Sequence, residues 1–469
     1  MSREILIAGS FIAYLLVVGA IGLAAYRRTH DSADFILGRR RLSYWISALS
    51  AGASDMSGWL LLGLPGLAYV AGGEALFLAL GLFVGTYLNW RFIARPLRVY
   101  TERYGDALTL PEYFEHRFDD RTHSLRRVSA ICILGFFAFY TAAGFVAGGK
   151  LFSASFGVPY ETAVIAGASL IVAYTAFGGF LAVSWTDALQ AGLMFFALVI
   201  VAVLALDSRP DSPVTANAIS VSGLSSMTIA SALAWGLGYF GQPHILARFM
   251  AIRDPDSVAS ARRLATAWTG IALVCAIAVG IAGHWVLPAE LLADDRETVF
   301  IHLLEILLHP LVAGVCLAGI LAAIMSTADS QLLVAAAALT HDLLPSGRRS
   351  QTASLRWHRG AVGLICLVAL SVALRPDSGV LALVAYAWAG FGATIGPAVV
   401  MSLYSPRTSK RSVLAGMLAG AACVVGWEHL EGGLFDLYGL LPGFCVGLGV
   451  MLTCNIFCLP RSSRTVLGR

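Results

Sequence analysis

Thirteen stretches of this sequence are apolar over about the length that a bilayer requires, and they leave little chain for anything else. They run near residues 4–26, 45–70, 75–97, 126–149, 161–180, 187–206, 226–247, 266–287, 311–340, 357–374, 379–404, 411–430 and 439–459. About 20 apolar residues cross the hydrocarbon core as a helix, and lipid satisfies no backbone polar group, so each window is predicted as a transmembrane helix. Charged residues make up 13% of the chain, about half the share of a soluble domain. That balance points to an all-α polytopic membrane protein embedded in a lipid bilayer, and away from a nucleic-acid-binding protein. The longest connections, near 98–125 and 288–310, have room only for short surface helices. The first window is followed by Arg27 and Arg28 and reads as a retained helix, not a cleaved signal. The eight cysteines, Cys454 and Cys458 among them, fall in apolar stretches as small hydrophobes.

Sorting the basic residues by side predicts the orientation. With the N-terminus outside, 27 of the 32 Lys and Arg fall on the cytoplasmic side, and only Arg3, Lys150, Arg209, Arg296 and Arg375 fall outside. Arg248 and Arg461 to Arg469 belong to the cytoplasmic set, so the positive-inside rule places the C-terminus in the cytoplasm, and the protein in the cell inner (cytoplasmic) membrane.

Within the second window, residues 48–66 read ALSAGASDMSGWLLLGLPG and hold Asp55 at mid-membrane depth. A lone aspartate there costs roughly 2.5 to 3.5 kcal/mol, which calls for a polar partner or an ion. Gly52, Gly58 and Pro65 weaken the helix around it. One reading makes the Asp55 carboxylate a cap for the turn at Met56 to Leu60, with Ser54 or Ser57 helping. The other makes it a source of negative potential for a cation path. The seventh window is interrupted in the same way by AWGLGYFGQP, residues 234–243, five spans later. Paired interrupted spans are what an inverted repeat produces around a midplane site, spans 2–6 and 7–11 being the halves. Close packing through small residues is the competing explanation.

In the ninth window Ala323, Ser326 and Thr327 stand at i, i+3 and i+4 and share a helix face. A carbonyl and two hydroxyls suit a weakly held cation, although such hydroxyls also bond to their own backbone. Trp59, Tyr140, Trp235 and Tyr239 form an aromatic group, three of them flanking the interruptions and not the span ends. They read either as interfacial anchors or as a cage for a small ring and an ammonium group. Asp187, Asp329, His244 and His341 are scattered, with no HExxH, GxSxG or P-loop pattern to assemble an enzyme site. Asp187 reads as a cap of the sixth span.

Several runs carry a family likeness from about residue 35 to 459: SALSAGASDMSGWLLLGLPG at 47–66, LTLPEYFEHRF at 108–118, GGFLAVSWTDALQA at 178–191, AWGLGYFGQPHILARFMA at 234–251, AAIMSTADSQLL at 322–333 and YAWAGFGATIGP at 386–397. With these runs the chain resembles the sodium:solute symporter family, and the SGW and AWGLGYFGQP runs are similar to its proline branch. The resemblance implies a LeuT-type inverted five-helix repeat with extra helices, 13 transmembrane helices in one transporter domain over 1–469. Residues 4–26 would be an extra N-terminal helix, 45–206 the first repeat, 226–404 the second and 411–459 two C-terminal helices.

It also implies a coupling sodium ion held by the carbonyls of Ala53, Met56 and Ala323 and the hydroxyls of Ser326 and Thr327, with Asp55 and Ser57 near the ion path. Trp59, Tyr140, Trp235, Tyr239 and Pro243 would face the substrate, and Arg40 and Asp187 would serve a cytoplasmic gate. Arg39 to Arg41 replace the Gly-Arg-Ser usual in that loop. The expected activity is sodium-coupled import of L-proline, with no obligatory protein partner. The alternatives are import of another small amino or carboxylic solute, or a sensor that binds solute without moving it.

Overall fold

The computed structural model describes residues 3–26, 29, 31–208, 221, 223–288, 295–344, 351–375 and 379–457. Arg27, Arg28, Arg209, Arg348, Arg349, Cys458, Arg461, Arg464 and Arg469 lie outside the described residues. In chain order the helices are α1 Arg3–Tyr26, α2 Ser32–Leu37, α3 Tyr44–Asp55, α4 Leu64–Val70, α5 Gly72–Leu88 and α6 Ala94–Arg103. Then come α7 Leu110–Arg117, α8 Ser124–Phe156, α9 Tyr160–Asp207, α10 Ser226–Ala234, α11 Pro243–Met250 and α12 Val258–Val286. The last are α13 Val299–Leu307, α14 Pro310–Ala337, α15 Gln351–Ala373, α16 Val380–Tyr404, α17 Lys410–Trp427 and α18 Leu440–Phe457. Among the described residues nine helices are long and apolar enough to cross a membrane, and Trp59–Val70 and Tyr160–Ala173 are shorter apolar helices.

The boundaries depart from expectation in three places. Residues 181–186, expected between two spans, are helical: α9 runs for 48 residues and bends at Gly179 (φ 66°, ψ −178°). Only glycine takes that backbone without strain, and Phe35 packs against the open side of the bend. Asp187 therefore lies inside a helix and caps nothing. Second, α13 is no surface helix, because Val299, Phe300, Ile301, Leu303 and Leu304 are buried. Third, α5 continues into α6 through a wide turn at Asn89–Ile93.

The connection at 98–125 does carry its short helix, α7, and its start follows from local chemistry. The Thr109 hydroxyl accepts from Glu112 N (3.2 Å) while the Glu112 carboxylate accepts from Leu108 N (2.7 Å). Pro111 occupies the first turn, where no donor is needed.

The core sits on α14, whose residues 316–333 are all buried. A helix that is apolar on every side is surrounded by protein, here by α9, α1, α8 and α3. Ser326, Thr327, Asp329, Ser330 and Gln331 are thereby held inside the protein, away from lipid.

Candidate ion and solute site

The site is built at two breaks in helices. At the first, α3 stops at Asp55 and Met56 turns out of the helix (φ −82°, ψ 73°). That ψ swings the Met56 carbonyl away from the helix axis. Ser57 N donates to Asp55 O (3.0 Å), and the Ser57 hydroxyl accepts from Trp59 N (3.3 Å). A wide turn at Trp59–Gly63 then leads into α4. At Gly58 a Cβ would lie 2.6 Å from the Ala147 methyl and 3.3 Å from Ile324, so α8 and α14 press on the turn.

The face of α14 that crosses this break carries the predicted hydroxyls. Ser326 Oγ donates to Ala53 O at 2.8 Å and to Ala323 O at 3.0 Å, and Thr327 Oγ1 donates to Ala53 O at 3.3 Å. Four of the five oxygens expected around an ion, those of Ala53, Ala323, Ser326 and Thr327, are therefore linked in one chain of hydrogen bonds. Met56 lies three residues beyond Ala53, on the unwound turn. A cation entering here would take acceptor lone pairs that the hydroxyl protons now occupy.

At the second break α10 tightens into the turn Trp235–Gly241. Gln242 is extended (φ −76°, ψ 106°), and α11 starts at Pro243. Glycine is required for the packing: a Cβ on Gly236 would overlap the Gly81 carbonyl, and one on Gly241 the Phe391 carbonyl. The break is thus pressed between α5 and α16.

One side chain joins the two breaks. Tyr239 OH donates to Asp55 Oδ2 at 2.6 Å, while Asp55 Oδ1 is buried without a hydrogen-bond partner. The Asp55 carboxylate therefore reaches across to the second break, and the Ser57 hydroxyl supplies the cap at the first. A buried carboxylate oxygen lacking a partner is costly unless a cation offsets it. Asp55 O in turn accepts from Trp59 Nε1 (3.0 Å) and Tyr140 OH (3.5 Å). Trp59, Tyr140 and Tyr239 thus gather on one residue, and Trp235 lies on the second break itself. Pro243 lines a narrow cleft with Ala247, Met250 and Asp342 on the far side of that break.

Arg40 and Asp187, both expected at a cytoplasmic gate, have separate partners. Arg40 bonds Asp106 (2.8 Å), Thr101 (3.1 Å), Met250 O (2.7 Å) and Ala107 O (2.9 Å). Asp187 instead meets Arg248 at 3.1 Å, with both side chains fully buried. Arg248 therefore belongs to the interior and not to a loop. Its guanidinium also bonds Ser330 and, at 3.1 Å, Ser50, which itself donates to Asp187 at 2.6 Å. Asp329 bonds Thr175 across α14 and α9. Sequence reasoning missed Arg248 and also Trp388, which lies perpendicular to Tyr239 at 5.0 Å. The only signal for Trp388 was its place in the run YAWAGFGATIGP.

Two broken helices beside a helix buried over residues 316–333 are the kind of arrangement on which membrane transporters build a midplane site. Residues 35–420 match the sodium:solute symporter family, and the chain belongs to that family. Among its relatives are the sodium/proline symporters of Salmonella typhimurium (44% identical over 461 residues, covering 94% of this chain and 91% of that protein) and Escherichia coli (44% over 462 residues, 94% and 91%). The sodium/proline symporter of Staphylococcus aureus is 41% identical over 460 residues, covering 93% of this chain and 89% of that protein. In fold the chain is similar to a Na+-coupled sialic acid symporter in a substrate-bound outward-open state (TM-score 0.81, 16% identity, 97% of this chain and 98% of that chain). A nucleobase-cation-symport-1 family transporter in a closed conformation is more distant (TM-score 0.58, 13% identity, 93% and 97%).

Proposed function

We propose that this protein is a symporter that imports L-proline together with sodium by alternating access. The observation that carries the reading is the meeting of Ala53 O, Ala323 O, Ser326 Oγ and Thr327 Oγ1 at the break that also holds Asp55, whose Oδ1 is buried without a hydrogen-bond partner. Relatives over nearly the whole chain support it, being sodium/proline symporters at 44% and 41% identity.

In this reading sodium is held by the carbonyls of Ala53, Met56 and Ala323 and the hydroxyls of Ser326 and Thr327. Asp55 and Ser57 lie beside the ion path. Proline sits among Trp59, Tyr140, Trp235, Tyr239 and Pro243, its ring against aromatic faces and its ammonium group over them. Thirteen helices cross the cytoplasmic membrane, the two arms of α9 counting separately, with Arg3 outside and the C-terminus inside. Residues 45–206 and 226–404 are the inverted repeats of a single transporter domain, flanked by 4–26 and 411–459. Arg40 and Asp187 act on the cytoplasmic side through Asp106 and Arg248.

Because proline is a net-neutral zwitterion, one sodium per cycle carries one positive charge inward. At about 100 mV that charge contributes roughly 2.3 kcal/mol, and a tenfold sodium gradient adds about 1.4 kcal/mol. Together these support accumulation of about a few hundred-fold. The test is uptake of labelled L-proline into proteoliposomes with and without an inward sodium gradient, repeated with Asp55→Asn. Sodium-driven uptake that fails in Asp55→Asn is expected. Uptake indifferent to sodium, or absent for proline but present for another solute, would overturn the reading.

A further inference from the structure

Trp388 is almost completely buried in α16, and it meets the second break in several ways at once. Its indole Nε1 donates to Trp235 O at 2.8 Å, the carbonyl where α10 tightens into the turn. The same nitrogen lies against Gly238, where any Cβ would overlap the indole. Its ring stands perpendicular to Tyr239 with centroids 5.0 Å apart, and lies 6.4 Å from Trp235 and 6.5 Å from Tyr140. The backbone of Trp388 also takes part, since Gln242 Nε2 bridges Gly238 O (3.1 Å) and Trp388 O (3.4 Å).

A turn that has left the helical ladder exposes carbonyls that need a donor inside the protein. Trp388 supplies one of those donors. Of the three rings around it, the nearest is that of Tyr239, whose hydroxyl reaches Asp55 at 2.6 Å.

We propose that Trp388 is a positioning residue of the transport cycle: its indole N–H holds the 235–241 turn open at the Trp235 carbonyl, and its ring sets the Tyr239 phenol onto Asp55. The inference rests on the sodium-coupled proline reading. It extends that reading by making α16, which holds none of the expected ligands, a determinant of coupling.

The experiment measures half-saturating proline and sodium in proteoliposomes for the native chain, Trp388→Phe, Tyr239→Phe and the double variant, with melting temperature as a parallel readout. Trp388→Phe keeps an aromatic ring but removes the donor. It is expected to raise half-saturating proline and sodium about tenfold, the change set by one lost buried hydrogen bond. Because Trp388 acts through Tyr239, the double variant should be no worse than Tyr239→Phe alone. Factors that multiply in the double variant, or a lowered melting temperature with both half-saturations unchanged, would overturn the proposal. Gly238→Ala displaces the same indole and should reproduce the shift in sodium dependence. If Trp388→Phe does not insert into the membrane, native sodium dependence in Gly238→Ala overturns the proposal instead. Native protein that shows no sodium-driven proline uptake would sink the parent reading and this one together. Native uptake with unchanged half-saturations in the variants would sink only this one.

Discussion

The two breaks occupy matching places five spans apart and are built from opposite materials. The first, at Asp55 to Gly58, is polar: its oxygens meet Ser326 and Thr327, and its neighbours Ala147 and Ile324 press on it only with side chains. The second, at Trp235 to Gln242, is aromatic, and at Gly236 and Gly241 it lies directly on neighbouring carbonyls. Two broken helices in one molecule thus differ in what they present to the space between them. The first presents oxygens, and the second presents aromatic rings on tightly packed backbone. The Tyr239–Asp55 hydrogen bond and the Arg248–Asp187–Ser50 cluster tie the two together.

The largest expected effect strikes the second tie. Arg248→Met leaves the Asp187 carboxylate buried with only Ser50, which should cost about 3–5 kcal/mol of stability in chemical unfolding in detergent. Adding Asp187→Leu should restore part of the loss. A single-variant loss below about 1 kcal/mol would mean that the cluster does not join the two helices.

Next is Thr327→Ala, which removes one oxygen from the polar break. Half-saturating sodium should rise about tenfold to a hundredfold. High sodium should restore proline binding in equilibrium curves, since coupling is reciprocal. Proline binding weakened equally at every sodium concentration would transfer Thr327 to the solute side.

The packing contrast predicts an ordering. Gly241→Ala meets a carbonyl and should cost about 1–3 kcal/mol or more, whereas Gly58→Ala meets a methyl and a flexible isoleucine and should cost less. Thermal midpoints in the reverse order would break the comparison.

The smallest effect serves as a control away from both breaks. Burial pushes Glu112 up, but the hydrogen bond to His341, the Leu108 N–H and Arg126 outweigh it and hold the carboxyl at about 2, against an ordinary 4.5. Its folded value is depressed, so its contribution is present above about pH 4.5 and fades as pH falls toward 2. Glu112→Gln should flatten acid unfolding in that window, and sodium dependence at neutral pH should stay native.

How far the site was legible follows from the range of each interaction. Asp55 stood out because a carboxylate in an apolar run needs a reason, and Ser326 and Thr327 because i and i+3/i+4 spacing is a local property. The second break was legible from its glycines and proline. Tyr239's reach to Asp55 spans 184 residues of sequence, and no local pattern encodes such a partner. For the same reason Arg248 was read as a loop charge, and the partners of Arg40 and Asp187, which are Asp106 and Arg248, were not foreseen. Gly179 shifted a boundary: its non-helical backbone separates the two arms of α9, so the break falls there and residues 181–186 belong to the second arm.

One small feature has mechanical weight. Leu42 N donates to Ala251 O (3.1 Å) and Arg253 N to Leu42 O (2.9 Å), a two-bond backbone bridge between the segment entering the first broken helix and the segment leaving the second. Together with Arg248–Ser50 and Tyr239–Asp55 it makes three cross-members along one pair of beams. A pair braced at three heights resists shear between its two members.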